Sequence, residues 1–498
     1  MGLKSKLSVL FARYIVSRQK AWMDKPIATS HSDFNKLIEK GKKTAFGADH
    51  NFEKINNYED FKKNVPIRDY EGLKPYIERV IEGEKDVLWP GLPIYFCKTS
   101  GTTSGSKYIP LTKDSIPNHI HSARNALLSY IVDSGNSDFV DGKMIFLQGS
   151  PILDNKSIIP TGRLSGIVAN YVPNYLQKNR MPTYNTNCID DWEQKVDKIV
   201  DETVVEDMRL ISGIPSWVQM YFEKLIQTSG KKSIKEIFPN FSLFVYGGVN
   251  YEPYREHFEK LIGERIDSIE LYPASEGFIA YQDKQDEKGL LLVLNSGIFY
   301  EFIEVDTYHN EEPTRIALED VVLGVNYVLI INSNAGLWGY NIGDTIMFVS
   351  LEPCRIIVTG RIKHFISSFG EHVIGKEVEM AMSSAIQQFG GQVVEFTVAP
   401  QVNPTDGLPY HEWFIEFANE PEDKGAFKKA LDLALQEQNS YYFDLIQGNI
   451  LQELQISCIS KEGFNGYMKS IGKLGGQNKV PRLSNDRKIA DELQKFIK

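Results

Sequence analysis

A chain of 498 residues is too long for one compact core and is expected to fold as two or more domains. Its 42% hydrophobic and 24% charged content is that of a soluble globular protein, and no stretch is long and apolar enough to span a bilayer. A net charge of −10 argues against a nucleic-acid partner, because phosphate backbones are held by basic surfaces, yet it leaves room for a positive pocket around a small anion.

The first predicted element is an amphipathic helix over residues 3 to about 25. Leu3, Leu7, Leu10, Phe11, Tyr14 and Ile15 recur there at helical spacing among Lys4, Lys6, Arg13, Arg18 and Lys20. The apolar positions are periodic and not continuous, so this is no signal peptide. Helices are also expected over 32–42, 58–63 and 70–83, with Val65-Pro66-Ile67 breaking the pattern. Cys97, Cys188, Cys354 and Cys458 are far apart, without metal-ligand spacing or a disulfide framework, which fits a reducing, cytoplasmic setting.

The apolar run Ile94-Tyr95-Phe96-Cys97 then leads into KTSGTTSGSKYIPLT, residues 98–112. Gly101 and Gly105 allow successive N–H groups to face one point, and such a nest binds anions. Thr99, Ser100, Thr102, Thr103 and Ser104 add hydroxyl donors, and Lys107 adds a positive charge. The spacing is not that of a Walker A loop: the second glycine comes one position early and Tyr108 follows the lysine.

A helix over 114–134 and a short strand over 144–148 come next. His119 and His121 lie i, i+2 on that helix, point to different sides and read as structural. The stretch 160–176, rich in Gly, Tyr and aliphatics, is expected to be a loop. A helix is predicted over 191–210, then a strand end at Leu210–Pro215 and a helix from near Trp217. Phe241–Tyr246, closed by Gly247-Gly248, and Ile269–Tyr272 read as strands around a helix at 254–262. This alternation predicts an α/β core with parallel pairing. Strands at 290–294, 300–305, 327–332 and 355–359 suggest a β-rich subdomain. Beyond Gly360, helix and strand alternate afresh, which divides the chain into 1–360 and 361–498.

Two further motifs carry chemistry. Leu271-Tyr272-Pro273-Ala274-Ser275-Glu276-Gly277 ends a predicted strand, where α/β sheets collect ligands, and offers an aromatic face, a hydroxyl and a carboxylate. Gly339-Tyr340-Asn341-Ile342-Gly343-Asp344 reads as a turn ending in a carboxylate suited to vicinal hydroxyls.

Taken in order, TSGTTSGSKYIP (99–110), YPASEG (272–277), YNIGD (340–344), TGRIKHFISSFGEHV (359–373) and GGQNKVPRL (475–483) resemble the adenylate-forming superfamily. Within it they are most similar to the auxin-responsive acyl acid–amido synthetases of plants and their bacterial relatives. The resemblance runs over nearly the whole chain. Pro273 stands where many members carry Gly, and Asn341 where Arg is frequent.

The resemblance implies a large N-terminal adenylate-forming domain with an α/β core and a smaller, mobile α+β C-terminal domain. It implies ATP and Mg²⁺, with a small-molecule carboxylic acid and an amino acid as substrates; neither nucleic acid, membrane nor obligate protein is expected as a partner. A carboxylic acid would be adenylated, and an amine would then take the acyl group and release AMP. Residues 99–105 and Lys107 would hold the β- and γ-phosphates, and Glu276 would bind Mg²⁺. Tyr272, with Ser275 beside it, would stack on adenine, Gly247 and Gly248 would approach the base edge, and Asp344 would hold the ribose. Arg361 would support ribose or phosphate, Lys479 would be the catalytic lysine of the tail, and Lys363 would mark the hinge. For the acyl pocket the sequence offers only the 160–176 loop, Trp217 and Val249. An acyl-CoA ligase with a thiol acceptor, or a non-catalytic nucleotide-binding protein, are the alternatives.

Overall fold

The computed structural model describes residues 2–99, 107–155, 158–171, 177–189, 191–248, 251–308, 310, 313–362, 365–366, 368–369, 371, 373–448, 450–475, 479–484 and 486–498. Two compact units divide them. The first takes residues 1–213, 238–248 and 266–357; the second takes 214–237, 249–265 and 358–498.

The first unit begins with helix α1 (Leu3–Met23). Its inward face holds Ser5, Ala12, Gln19 and Trp22, with Val9, Ile15 and Met23 packed partly against the core, while Leu7, Leu10, Phe11 and Tyr14 of the apolar stripe read from the sequence face out. Two polar contacts fix this rotation: the Ser5 and Ser137 hydroxyls lie 2.6 Å apart, and the Tyr281 hydroxyl donates to Gln19 Oε1 at 2.5 Å. Helix 70–81 starts where Asp69 caps it, its side chain accepting from the Gly72 N–H at 3.2 Å. Helix α2 (Ile116–Ser134) ends at Gly135, whose φ of 71° few other residues adopt.

Strands β1 (Tyr95–Thr99) and β2 (Lys107–Leu111) form an antiparallel hairpin with Thr99 opposite Lys107. The main sheet uses β3 (Lys143–Phe146), β5 (Arg180–Met181), β6 (Met208–Ser212), β7 (Leu243–Gly247), β8 (Asp267–Ala274), β9 (Gly277–Tyr281), β10 (Leu290–Leu292), β11 (Ile298–Glu304), β12 (Asn326–Ser333), β13 (Tyr340–Leu351) and β14 (Cys354–Arg361). The short β4 (Thr161–Gly162) pairs with β1 instead, setting Gly162 opposite Cys97. In the main sheet the order is β11-β12-β13-β14-β10-β9-β8-β7-β6-β3-β5, with β5, β3, β6, β7 and β8 all parallel. The α/β core thus has the parallel pairing expected of alternating strands and helices. The β-rich stretch continues that same sheet instead of forming one of its own. The helix predicted over 191–210 stops at Thr203, and Met208–Ser212 is strand: Met208, Leu210 and Ile211 are buried in it, between β3 and β7.

One polar knot sits within this core. Glu301 on β11 is fully buried, and Arg315 grips it through Nε at 2.9 Å and Nη2 at 2.6 and 2.7 Å. Asn332 Nδ2 and the Tyr58 hydroxyl supply two more donors, at 2.7 and 3.0 Å.

The second unit is built on β17 (Gln392–Gln401), β18 (Tyr410–Asn419) and β19 (Gln455–Ile459), after the small hairpin of β15 (Phe365–Ile366) and β16 (Val373–Ile374). β17 and β18 are antiparallel, β18 and β19 parallel. Helices α3 (Gly375–Phe389) and α4 (Lys424–Gln438) pack together, and Val378, Met382, Phe427 and Leu431 join Phe396 and Trp413 in its core.

Glu416 on β18 is buried, and its carboxylate accepts from the backbone N–H groups of Glu462 at 2.7 Å and Phe464 at 3.2 Å. Burial pushes its carboxyl up to about 7, from an ordinary 4.5. Between those values the folded chain holds more protons than the unfolded one, so this group's contribution to stability is lost as pH rises through that window. Urea denaturation at pH 5 and pH 7 is expected to show a loss on going to pH 7 that shrinks in Glu416→Gln.

Candidate active site

The first unit brings several of the sequence-predicted residues together. β8 delivers Tyr272 and turns through Ser275 and Glu276 into β9. Asn118 of α2 pins this turn: its Oδ1 accepts from the Phe278 N–H at 2.7 Å, and its Nδ2 donates back to the Phe278 carbonyl at 3.2 Å. The Cys97 side chain in the middle of β1 hydrogen-bonds Ser275, and burial pushes its thiol up to about 12. A fully buried thiol of that kind is structural and not a nucleophile.

Asp344 is buried on β13, and the Tyr272 hydroxyl donates to its Oδ2 at 2.5 Å. The sequence predicts a turn here; the structure makes it a bulge inside a strand. Val328 pairs with Thr345 and Ile330 with Asn341, so Ile342, Gly343 and Asp344 face Leu329 alone. Gly343 sits at φ 86°, and its N–H donates to Asn341 Oδ1 at 2.8 Å, closing a small loop that sets the carboxylate.

Beside this pair lies Tyr340, a member of the YNIGD motif to which the sequence alone assigns no role. Its hydroxyl is 3.5 Å from Glu276 Oε1, and burial, then the Glu276 and Asp69 carboxylates, hold it well above the usual phenol range. The backbone at Tyr340 is fixed by a bridge to Arg68, through Arg68 N–H to Gly339 carbonyl at 2.8 Å and Asn341 N–H to Arg68 carbonyl at 2.7 Å. Lys107 leans over the Tyr70 ring, Nζ 5.7 Å from its centroid, and the Tyr70 hydroxyl accepts from the Tyr108 N–H at 2.9 Å. No local pattern announces these partners; they meet only because helix 70–81, β2 and β13 converge.

Two expectations change in detail. Tyr272 is only 7% exposed, so its ring offers little face for a base to stack on; its hydroxyl on Asp344 is its clearer contribution. A Cβ on Gly247 would meet the Leu271 carbonyl oxygen at 2.5 Å, so close strand packing already demands glycine there; Gly248 follows at φ 77°.

Among the described residues no group of three or more His, Cys, Asp or Glu could hold a metal ion. Glu276, half-exposed beside the Tyr340 phenol, fits Mg²⁺, which takes one or two carboxylates and leaves its other positions to phosphate and water. Ser100, Gly101, Thr102, Thr103, Ser104 and Gly105 lie outside the described residues, as do Val249, Lys363 and positions 172–176; the described part of the stretch expected to be a loop instead holds β4 and a short helix, Leu164–Ala169, with Leu164, Gly166 and Ile167 buried. Thr99 ends β1. His119 is buried and held down to about 4 by burial, so it stays neutral, as a structural histidine should.

In the second unit, Arg361 is exposed at the end of β14, and Trp217 is buried. Lys479 is exposed, two residues before an anchored segment. There Arg482 is bound by Glu395 and by Glu379 Oε1 at 3.2 Å and lies 4.6 Å over the Phe396 ring, while Thr397 Oγ1 donates to the Pro481 carbonyl at 2.6 Å. The lysine therefore stands just ahead of a segment fixed to β17 and α3.

Three family models match this chain. They are the GH3 family N-terminal domain over residues 16–187, the central domain over 291–361 and the C-terminal domain over 376–488, together more than half of the sequence. The chain belongs to the GH3 family. Jasmonoyl–L-amino acid synthetase JAR4 of Nicotiana attenuata is 23% identical over 354 residues, and the match spans 57% of this GH3 chain and 60% of JAR4. The AtGH3.15 acyl acid amido synthetase in complex with 2,4-DB superposes with a TM-score of 0.81 at 15% identity, over 98% of this chain and 96% of its own. A 2-hydroxyisobutyryl-CoA ligase in the postadenylation state superposes at 0.53 and 12% identity, over 99% and 92%. At such identities the likeness is one of fold, and it places the GH3 chain in the adenylate-forming architecture with a separate C-terminal domain.

Proposed function

We propose that this GH3 chain is an ATP-dependent acyl acid–amido synthetase. A carboxylate oxygen of the acid attacks the α-phosphorus of ATP and pyrophosphate leaves; the amine nitrogen of an amino acid then attacks the acyl carbonyl, loses a proton, and AMP leaves. The observation that carries this reading is the convergence of Tyr272–Asp344 and Glu276–Tyr340 at the turn after β8, beside the β1–β2 hairpin that flanks the glycine loop. The names of the relatives, jasmonoyl–amino acid and acyl acid amido synthetases, support the amine as acceptor.

Asp344 would accept from the ribose hydroxyls, with Tyr272 as its positioning residue. Glu276 would hold Mg²⁺, whose charge would offset the repulsion between carboxylate and phosphate. Thr99, Lys107 and the loop 100–105 would hold the outer phosphates. Gly247, Gly248, Ser275 and Arg361 would complete the nucleotide site, and the division at 360–361 would mark the moving part. The acid is assigned to the C-terminal end of β3. Among the described residues Gln148 Nε2 and Ser165 Oγ there are buried and meet no hydrogen-bond partner, and Arg180 lies over the Phe146 ring.

The deciding experiment is acid-dependent ATP–pyrophosphate exchange over a panel of carboxylic acids, followed by AMP release with amino acids or with CoA. Acceleration by amino acids is expected; acceleration by CoA alone would make the chain a thiol-accepting ligase. No exchange with any acid, while ATP still binds, would make it a nucleotide-binding protein. Lys479→Ala should lower exchange about a hundredfold while ATP affinity stays within a few-fold, because the lost charge acts on the transition state. An unchanged exchange rate would remove Lys479 from the reaction.

Tyr272→Phe separates positioning from stacking. It keeps the ring and deletes the hydrogen bond to a carboxylate, a contact worth roughly 1.5–3 kcal/mol. The KM for ATP should rise on the order of tenfold. A Phe variant with parental KM would return Tyr272 to a stacking role.

A further inference from the structure

The outward face of α1 takes no part in the chemistry above. Leu7, Leu10, Phe11 and Tyr14 stand at i, i+3, i+4 and i+7 and are 58%, 64%, 45% and 56% exposed. They form one stripe along the outside of a helix that is held to the fold by its other face. Isolated exposed leucines are ordinary; four large apolar side chains in register are not.

The charges follow the same stripe. Within Leu3–Met23 stand Lys4, Lys6, Arg13, Arg18 and Lys20 and no Asp or Glu, although the whole chain carries −10. Among the described residues none of the five meets a carboxylate. Lys4 Nζ reaches Asn179 Oδ1 at 3.5 Å, and Arg18 Nη1 donates to the Tyr14 hydroxyl at 3.1 Å. At about 100° per residue, Lys6, Arg13 and Lys20 line one edge of the stripe, Lys4 lies past the other, and Arg18 continues the stripe one turn beyond Tyr14. The surface is a ridge with cations on both sides, not a groove that would cradle a peptide.

We propose that α1 docks this protein on an anionic lipid surface, lying flat with its apolar stripe among the acyl chains and its lysines and arginines at the headgroups. A planar, negatively charged partner matches a convex apolar ridge bordered by cations. The acidic remainder of the chain is repelled by the same surface, so contact is confined to the helix and weakens with salt. No helix among the described residues is long and apolar enough to cross a membrane, so the contact is interfacial. The expectation of no membrane partner rested on the lack of a spanning segment and is revised for a helix that lies in the surface.

Flotation of the full chain tests this with vesicles of phosphatidylcholine alone or with 30% phosphatidylglycerol, at 0.1 and 0.5 M NaCl. The parent should float with the anionic vesicles at low salt and stay behind with the neutral ones. Lys6→Gln/Arg13→Gln/Lys20→Gln should weaken binding about a hundredfold, at roughly one cationic contact per residue. Leu10→Gln/Phe11→Gln should weaken it tenfold or more. All five side chains point outward, and equal urea midpoints would establish that the variants fold; if one shifts, Leu10→Gln and Lys6→Gln serve singly. A parent that ignores anionic vesicles, or binds both kinds equally, overturns the proposal, as do variants that bind like the parent. A parent that sediments as a dimer, becomes a monomer in Leu10→Gln/Phe11→Gln and never floats would assign the stripe to a second copy of the chain.

Discussion

Glu276→Gln is expected to slow acid-dependent ATP–pyrophosphate exchange a hundredfold or more. The first half-reaction brings one anion onto another, and charge neutralisation at such a centre is worth several kcal/mol, each 1.36 kcal/mol being a factor of ten. Among the described carboxylates, Glu276 is the one that combines partial exposure with a place on the turn after β8. The same variant should raise the Mg²⁺ concentration needed for half-maximal exchange and leave metal-free ATP binding unchanged. That second readout matters because a merely distorted turn would weaken nucleotide binding in both conditions. Tyr340→Phe is the companion control: it removes a hydroxyl 3.5 Å from the carboxylate and keeps the buried ring. Its effect on the Mg²⁺ requirement should be much smaller than that of Glu276→Gln.

The second large effect concerns stability. Arg315→Ala should destabilise the chain by about 3–5 kcal/mol, because it strands the Glu301 carboxylate in a fully buried position. Asn332 and Tyr58 would still donate to it, yet neither brings a compensating charge. Replacing both partners, as Arg315→Met/Glu301→Gln, removes the lone charge together with its counter-ion. The double variant should therefore lose less than Arg315→Ala alone, and urea denaturation of the pair measures the difference. Equal losses would mean that packing, and not charge, dominates at this site.

Much of the candidate site is legible in the chain because its motifs sit at element ends, where composition changes sharply. YPASEG ends a strand and YNIGD carries its own glycine, so both stand out without a structure. What is not legible is contact between elements far apart in sequence. The approach of Tyr340 to Glu276 and the grip of Cys97 on Ser275 depend on how β1, β8 and β13 are brought together, and no local pattern encodes that. Periodicity has a similar blind spot. It gives α1 an apolar stripe but not the direction in which that stripe faces; the small residues Ser5 and Ala12, which allow close approach, decide it. The helix predicted to reach residue 210 fails for another reason, since Leu210 and Ile211 suit a helix by composition and are claimed by burial between two strands.

The bulge on β13 makes chain length, not side-chain identity, the sensitive variable around Asp344. Deleting Ile342 and Gly343 would leave Asp344 opposite Leu329 and let β12 and β13 zip in unbroken register. Such a shortened protein should melt higher than its parent while handling ATP poorly, a trade of turnover for rigidity located in two residues.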